Sequence, residues 1–128
     1  MKKIGFIGAG NMATAIIKGL MAQNDGKADF INVFDVSEEK CVAMKNMGAN
    51  VMTSADEIAK NSSIVVLAVK PQNYPEVLES LKNSITTDKT VVSIAAGISI
   101  AYVRKGLECD CPVVRVMPNT PLLLKKGA

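Results

Sequence analysis

Ile4-Gly5-Phe6-Ile7-Gly8-Ala9-Gly10-Asn11-Met12-Ala13 is the stretch that decides the fold. A short apolar run, Lys3 to Ile7, ends in a G-x-G-x-x-A pattern, and a helical pattern opens directly behind it. Each letter has a physical use. Gly8 permits a tight turn, Gly10 lacks the Cβ that would hold the backbone away from a pyrophosphate, and Ala13 lets the helix pack closely on the strand. The free amides and positive dipole end of that helix would hold the anion. A purely structural glycine turn remains the alternative, but the strand before and the helix behind favour nucleotide binding.

Outward from this turn, apolar runs alternate with helix-length amphipathic stretches. Met12, Ala15, Ile16, Gly19 and Leu20 define the expected inner face of the first helix, which Asn24-Asp25-Gly26 stops. Strand two is expected from Phe30 to Asp35. Helix two should start at an N-cap Ser37 and run to Met47, with Gly48 as its C′ residue. A short third strand spans Asn50 to Met52, and Ser54-Ala55-Asp56-Glu57 reads as a capping box for helix three. Strand four, Ile64 to Val69, is apolar on both faces, the mark of a buried parallel sheet. Pro75 suits the first turn of helix four, with Val77, Leu78 and Leu81 inward. Strand five covers Thr90 to Ile94. Ser99 caps helix five, with Ile100, Val103 and Leu107 inward, and strand six covers Pro112 to Met117. The pattern predicts an α/β fold, a doubly wound parallel sheet of Rossmann type with helices on both faces, in strand order 3-2-1-4-5-6. One domain accounts for residues 1–128.

Composition narrows the function classes. The 128 residues carry 15 basic and 12 acidic side chains, a net charge of +3, without a basic stripe of the kind that binds nucleic acid. Aromatic residues make up 4%, too few for a base-stacking platform. The apolar share is a little high once glycine is counted, which hints at a face meant to be covered. No run reaches the roughly 18 apolar residues of a membrane span. Three cysteines and no apparent signal peptide point to the cytoplasm. Histidine is absent, which excludes Ser-His-Asp and Cys-His catalysis. Cys109-Asp110-Cys111 lacks a complementary pair, so no metal site is expected.

Asp35 ends strand two, about 20 residues beyond the glycine motif, where a carboxylate accepts hydrogen bonds from the adenosine ribose of NAD and repels the 2′-phosphate of NADP. Lys40, one turn into the next helix, offsets part of that repulsion; a simple loop cap is the other reading of Asp35. In the expected strand order, the ends of strands four, five and six lie on the nicotinamide side. Their loops are Val69-Lys70-Pro71-Gln72, Ala95-Ala96-Gly97 and Met117-Pro118-Asn119-Thr120-Pro121. Small residues let a flat ring approach, and prolines stiffen the loops. Lys70 reads equally well as a catalytic or phosphate-binding lysine or as a solvated loop lysine, and Asn119 and Thr120 as ligand contacts or turn residues.

Gly8-Ala9-Gly10-Asn11-Met12-Ala13, Leu67-Ala68-Val69-Lys70-Pro71, Val92-Ser93-Ile94-Ala95-Ala96-Gly97 and Arg115-Val116-Met117-Pro118-Asn119-Thr120-Pro121 follow one another in an order and spacing that resemble the pyrroline-5-carboxylate reductases. The resemblance covers essentially the whole chain and implies hydride transfer from NADH or NADPH to the imine carbon of 1-pyrroline-5-carboxylate, giving L-proline. It implies that the loops matching Val69 to Gln72 (Val69, Lys70 and Pro71 above all) and Ala95 to Gly97 border the cofactor, that Met117, Pro118, Asn119 and Thr120 lie near the nicotinamide and substrate, and that no residue of this chain is assignable as a proton donor. Asp35-Val36-Ser37 departs from the Ser/Asn-Arg type of element that suits NADPH, and leans toward NAD. The family's C-terminal helical domain, which forms its homo-oligomer and much of its substrate site, is not expected here, so the chain alone should bind cofactor and turn over weakly or not at all. Competing readings are a small hydroxy-acid dehydrogenase, a non-catalytic NAD(P)-binding module and an S-adenosylmethionine-dependent methyltransferase, the last disfavoured by its different glycine pattern.

Overall fold

A computed structural model describes residues 2–95 and 97–116. The elements run β1 (Ile4–Ile7), α1 (Asn11–Ala22), β2 (Ile31–Phe34), α2 (Glu38–Asn46), β3 (Asn50–Val51), α3 (Ala55–Lys60), β4 (Ile64–Leu67), α4 (Tyr74–Leu81), β5 (Thr90–Ser93), α5 (Ile100–Leu107) and β6 (Val113–Arg115), with a single 3-10 turn at Pro71–Asn73 before α4. The strands form a parallel sheet in the order β3-β2-β1-β4-β5-β6, as the pattern predicted. Ile4 pairs with both Ile31 and Ile64, so β1 sits in the middle of the sheet. The chain winds from β1 to β3 in one direction and returns to β4 on the other side of β1. α1 and α2 cover one face of the sheet and α3, α4 and α5 the other.

Two apolar clusters fill these layers. Phe6, Ile31 and Val33 pack with Ala13 and Ile17 of α1 and Met44 of α2. Ile7, Val65, Leu67 and Val91 pack with Ile58, Leu78, Leu81, Val103 and Leu107 from the other three helices. Alternate residues of β1 and β4 feed opposite clusters, which is why both strands are apolar throughout. Full burial of one such aliphatic side chain contributes about 1.5–3 kcal/mol.

Three corrections concern faces and caps. In α1 the buried stripe is Ala13 and Ile17; Met12, Ile16 and Leu20 flank it half-buried, while Ala15 and Gly19 face solvent. The expected face was set too far round the helix, because Ala13 has to lie against β1 for the glycine turn to close. In α5, Ile100 is exposed and only Val103 and Leu107 point inward, because the helix meets the core one turn after its cap. At α3, Ser54 Oγ accepts from the Glu57 amide as expected, but the Glu57 carboxylate receives the Thr53 amide, so the reciprocal half of the box is shifted by one residue. Ser37 and Ser99 cap α2 and α5 as expected, and Gly48 takes φ +100 behind α2. The observed strands stop short of the expected limits where the ladder to a neighbour ends; β3 has two residues because only β2 pairs with it.

A polar cluster went unanticipated. Asn32 is fully buried in β2 and donates to Asn61 O and Ser62 Oγ, both at 3.0 Å, while its own oxygen accepts from Asn50 at 3.2 Å. Buried amides persist only when satisfied in this way.

Candidate functional site

The carboxyl ends of β1 and β4 meet where the strand order reverses, the place at which open α/β sheets form their crevice. Gly8 makes that meeting possible. Its φ is +107, and a Cβ there would lie 2.5 Å from Ala68 O. Gly10 is different: a Cβ on it would meet nothing within 4 Å, so the space in front of it is open.

That open space faces the start of α1. Gly10 supplies no side-chain cap, and the first turn of α1 holds no acidic residue. By contrast, Ser37, Ser54 and Ser99 occupy the caps of α2, α3 and α5. The leading amides of α1 therefore have neither an intrahelical acceptor nor a cap, and with the dipole they favour an anion. The cradle fits a pyrophosphate: backbone donors, no Cβ in the way, and no acidic residue in the first turn of α1.

Asp35 stands just beyond β2 and is half-buried. One carboxylate oxygen accepts from the Ala9 amide and the other from the Ser37 amide, each at 2.7 Å. The loop-cap role weighed as the alternative is thus present, and it ties β2 to the glycine turn. Each oxygen keeps a further lone pair, so the same carboxylate retains capacity for a ribose hydroxyl.

A cleft of about 760 Å³ opens beside this turn, lined by Ala9, Gly10, Asn11, Thr14, Lys18, Lys40, Ala43, Met44, Asn46, Met47 and Lys70. Of the anticipated residues, Ala9, Gly10, Asn11, Lys40 and Lys70 line it. Met12 and Ala13 lie inward, with Ala13 1% exposed against the sheet. Lys18 was missed. Its signal was legible, since Asn11, Thr14 and Lys18 share one helical face by their i, i+3, i+7 spacing. Three lysines from separate elements make this cleft electropositive. A second depression of about 590 Å³, lined by Lys2, Lys3, Lys60, Asn61, Ser62, Ser63 and Lys89, lies at the amino ends of the strands, away from the crevice. Three of its lysines already have partners, in Asp29 O, Asp56 and Ser62 O.

The β4 and β5 loops lie on the far side of the reversal point. Lys70 is extended and Pro71 opens the 3-10 turn, as the restriction before proline requires. Val69 is half-buried against the core, Ala95 is 5% exposed and Gly97 takes φ +80. None of Val69, Pro71, Ala95 and Gly97 lines the lysine cleft. Ala96 and Met117, Pro118, Asn119 and Thr120 fall outside the described residues.

The family described as NADP oxidoreductase, coenzyme F420-dependent, matches residues 3–97. Among curated proteins, the pyrroline-5-carboxylate reductase of Escherichia coli (strain K12) is 41% identical over 127 residues, covering 98% of this chain and 47% of the relative. Among solved structures, a pyrroline-5-carboxylate reductase from Coxiella burnetii superposes with a TM-score of 0.85 at 37% identity, covering 97% of this chain and 46% of that one. The Plasmodium falciparum pyrroline carboxylate reductase with NADP bound gives 0.79 at 32% identity, covering 96% and 44%. The chain spans about half the length of the curated relatives it matches.

Proposed function

From the premise that this chain belongs to the family of NADP oxidoreductases described as coenzyme F420-dependent, we propose that it is the cofactor-binding part of a pyrroline-5-carboxylate reductase, which reduces the imine of 1-pyrroline-5-carboxylate to L-proline with NADH or NADPH. The observation that carries this reading is the uncapped start of α1 behind Gly10, with open space where a Cβ would stand and Asp35 fastened to the same turn. The F420 of the family description is set aside because the relatives matched over nearly the whole chain bear the pyrroline-5-carboxylate reductase name.

In this reading, the free first-turn amides of α1, from Asn11 to Ala13, hold the pyrophosphate behind the turn that Gly8, Ala9 and Gly10 form, the Gly8 and Ala9 amides being taken by Phe34 O and Asp35, and Asp35 receives the adenosine ribose. When bound, the reduced nicotinamide supplies a hydride. Val69, Lys70, Pro71, Ala95, Ala96 and Gly97 border its ring, and Met117, Pro118, Asn119 and Thr120 approach the substrate. An iminium carbon is already electrophilic, so the protein's work is to position two flat rings and exclude water, which needs no histidine. We assign turnover and homo-oligomer formation to the full length of the relatives, and the cytoplasm as the compartment. Among the described residues no helix is long and apolar enough to cross a membrane.

Asp35 favours NADH, while Lys18 and Lys40 favour the extra phosphate of NADPH. A titration of the purified chain with each cofactor, followed by nicotinamide fluorescence, ranks them. Tighter NADH binding that reverses toward NADPH on Asp35→Asn supports the ribose role. Binding of neither cofactor, with or without the relatives' second half fused on, rejects the proposal.

A further inference from the structure

Tyr74 is a fully buried tyrosine at the head of α4, and the glycine motif does not account for it. Its hydroxyl lies 3.2 Å from Leu67 O and 2.8 Å from Ser93 Oγ. A carbonyl only accepts, so the one phenolic proton goes to Leu67 O and Ser93 donates to the phenol oxygen. Leu67 and Ser93 are the last residues of β4 and β5, and they pair with each other in the ladder. Leu67 O also accepts from the Ile94 amide at 3.0 Å. One hydroxyl therefore gathers three points: the end of β4, the end of β5 and the start of α4. The segment from Ala68 to Asn73 leaves β4 and is tied back to it by Tyr74, and the loop holding Ala95 and Gly97 starts next to Ser93.

We infer that Tyr74 is a positioning residue for cofactor binding, which holds the β4 and β5 loops in register and so shapes the nicotinamide side of the crevice. The inference rests on the dinucleotide reading of the site. Burial pushes the Tyr74 hydroxyl above its ordinary value of 10.0, so the donor persists throughout the neutral range. The adenosine side has its own support, in Asp35 and its bonds to Ala9 and Ser37, and does not depend on this hydroxyl.

The test compares the full chain with its Tyr74→Phe variant, which keeps the ring and removes both hydrogen bonds. Amide hydrogen exchange of the ligand-free protein should quicken at least about threefold at Ile94 and Asn73, with Phe6 in β1 unchanged. Dissociation constants for NADH and NADPH should rise roughly three- to tenfold, while that for ADP, which reads the adenosine side alone, stays constant. Equal weakening of ADP and dinucleotide would mean a general loss of structure and would overturn the inference, as would unchanged exchange and unchanged affinity. If the unmodified chain binds neither dinucleotide, the underlying reading fails first and the inference falls with it; unchanged ADP binding beside lost dinucleotide contrast separates the two cases. Should Tyr74→Phe fail to fold, Ser93→Ala removes only the serine's donation and carries the same expectations.

Discussion

At the scale of single residues, the two glycines of one motif have opposite duties. Gly8 is required by the fold: its positive φ and its approach to Ala68 O admit no side chain. Gly8→Ala should destabilise the protein by about 2–4 kcal/mol, read from urea denaturation. Gly10 has ordinary extended geometry and open space in front of it. Gly10→Ala should cost less than about 1 kcal/mol of stability, yet weaken the cofactor about tenfold by holding the backbone from the pyrophosphate. Equal effects of the two substitutions on stability would contradict this division. Both glycines were legible as letters in a pattern, but only the tertiary structure separates the one that the turn requires from the one that faces open space. Asp35 makes the same point. Its place after strand two was readable from spacing, whereas its contacts with Ala9 and Ser37 depend on how close two loops come.

At the scale of elements, helix starts were read well because capping is local: Ser37, Ser54 and Ser99 each accept from an amide three residues on. Inner faces were read less well, because the orientation of a helix about its axis is set by what it lies against. The first turn of α3 also contributes to stability at acid pH. Hydrogen bonds from Ser84 and Lys60 hold Asp56 below its ordinary value of 3.8, and bonds from Thr53 hold Glu57 below 4.5. A carboxylate depressed in the folded state adds stability that is fully present above its unfolded value and disappears as pH falls through the folded one. Melting temperature should therefore be flat near neutrality and decline below about pH 4.5. Asp56→Asn should flatten part of that decline, and an unchanged acid profile would count against the contribution of these bonds. Lys82, raised by Glu108 and then Glu79, acts in the opposite direction: its contribution is present below its ordinary value of 10.5 and is lost as pH rises further.

At the scale of the whole molecule, the two clusters share one sheet, with Phe6 and Ile7 adjacent in β1 and facing opposite ways. Ile17 on one face and Leu107 on the other are both fully buried. Ile17→Ala and Leu107→Ala should each cost about 2–5 kcal/mol and leave a single cooperative transition by circular dichroism and fluorescence alike. A second transition confined to one variant would show that the faces melt separately.

The amino-acid sequence by itself determined the alternation of strands and helices, the parallel sheet, its strand order and the position of the glycine turn. These follow from periodicity, short-range capping and a glycine pattern, all of which act over a few residues. Only the tertiary structure decided which face of α1 meets β1, why Asn32 is tolerated in the core, how Asp35 fastens the glycine turn, that Lys18 joins Lys40 and Lys70 around one cleft, and that Tyr74 ties β4 to β5. Those depend on groups distant in sequence coming within hydrogen-bonding or packing distance, and that distance is set by the closing of the sheet rather than by any local preference.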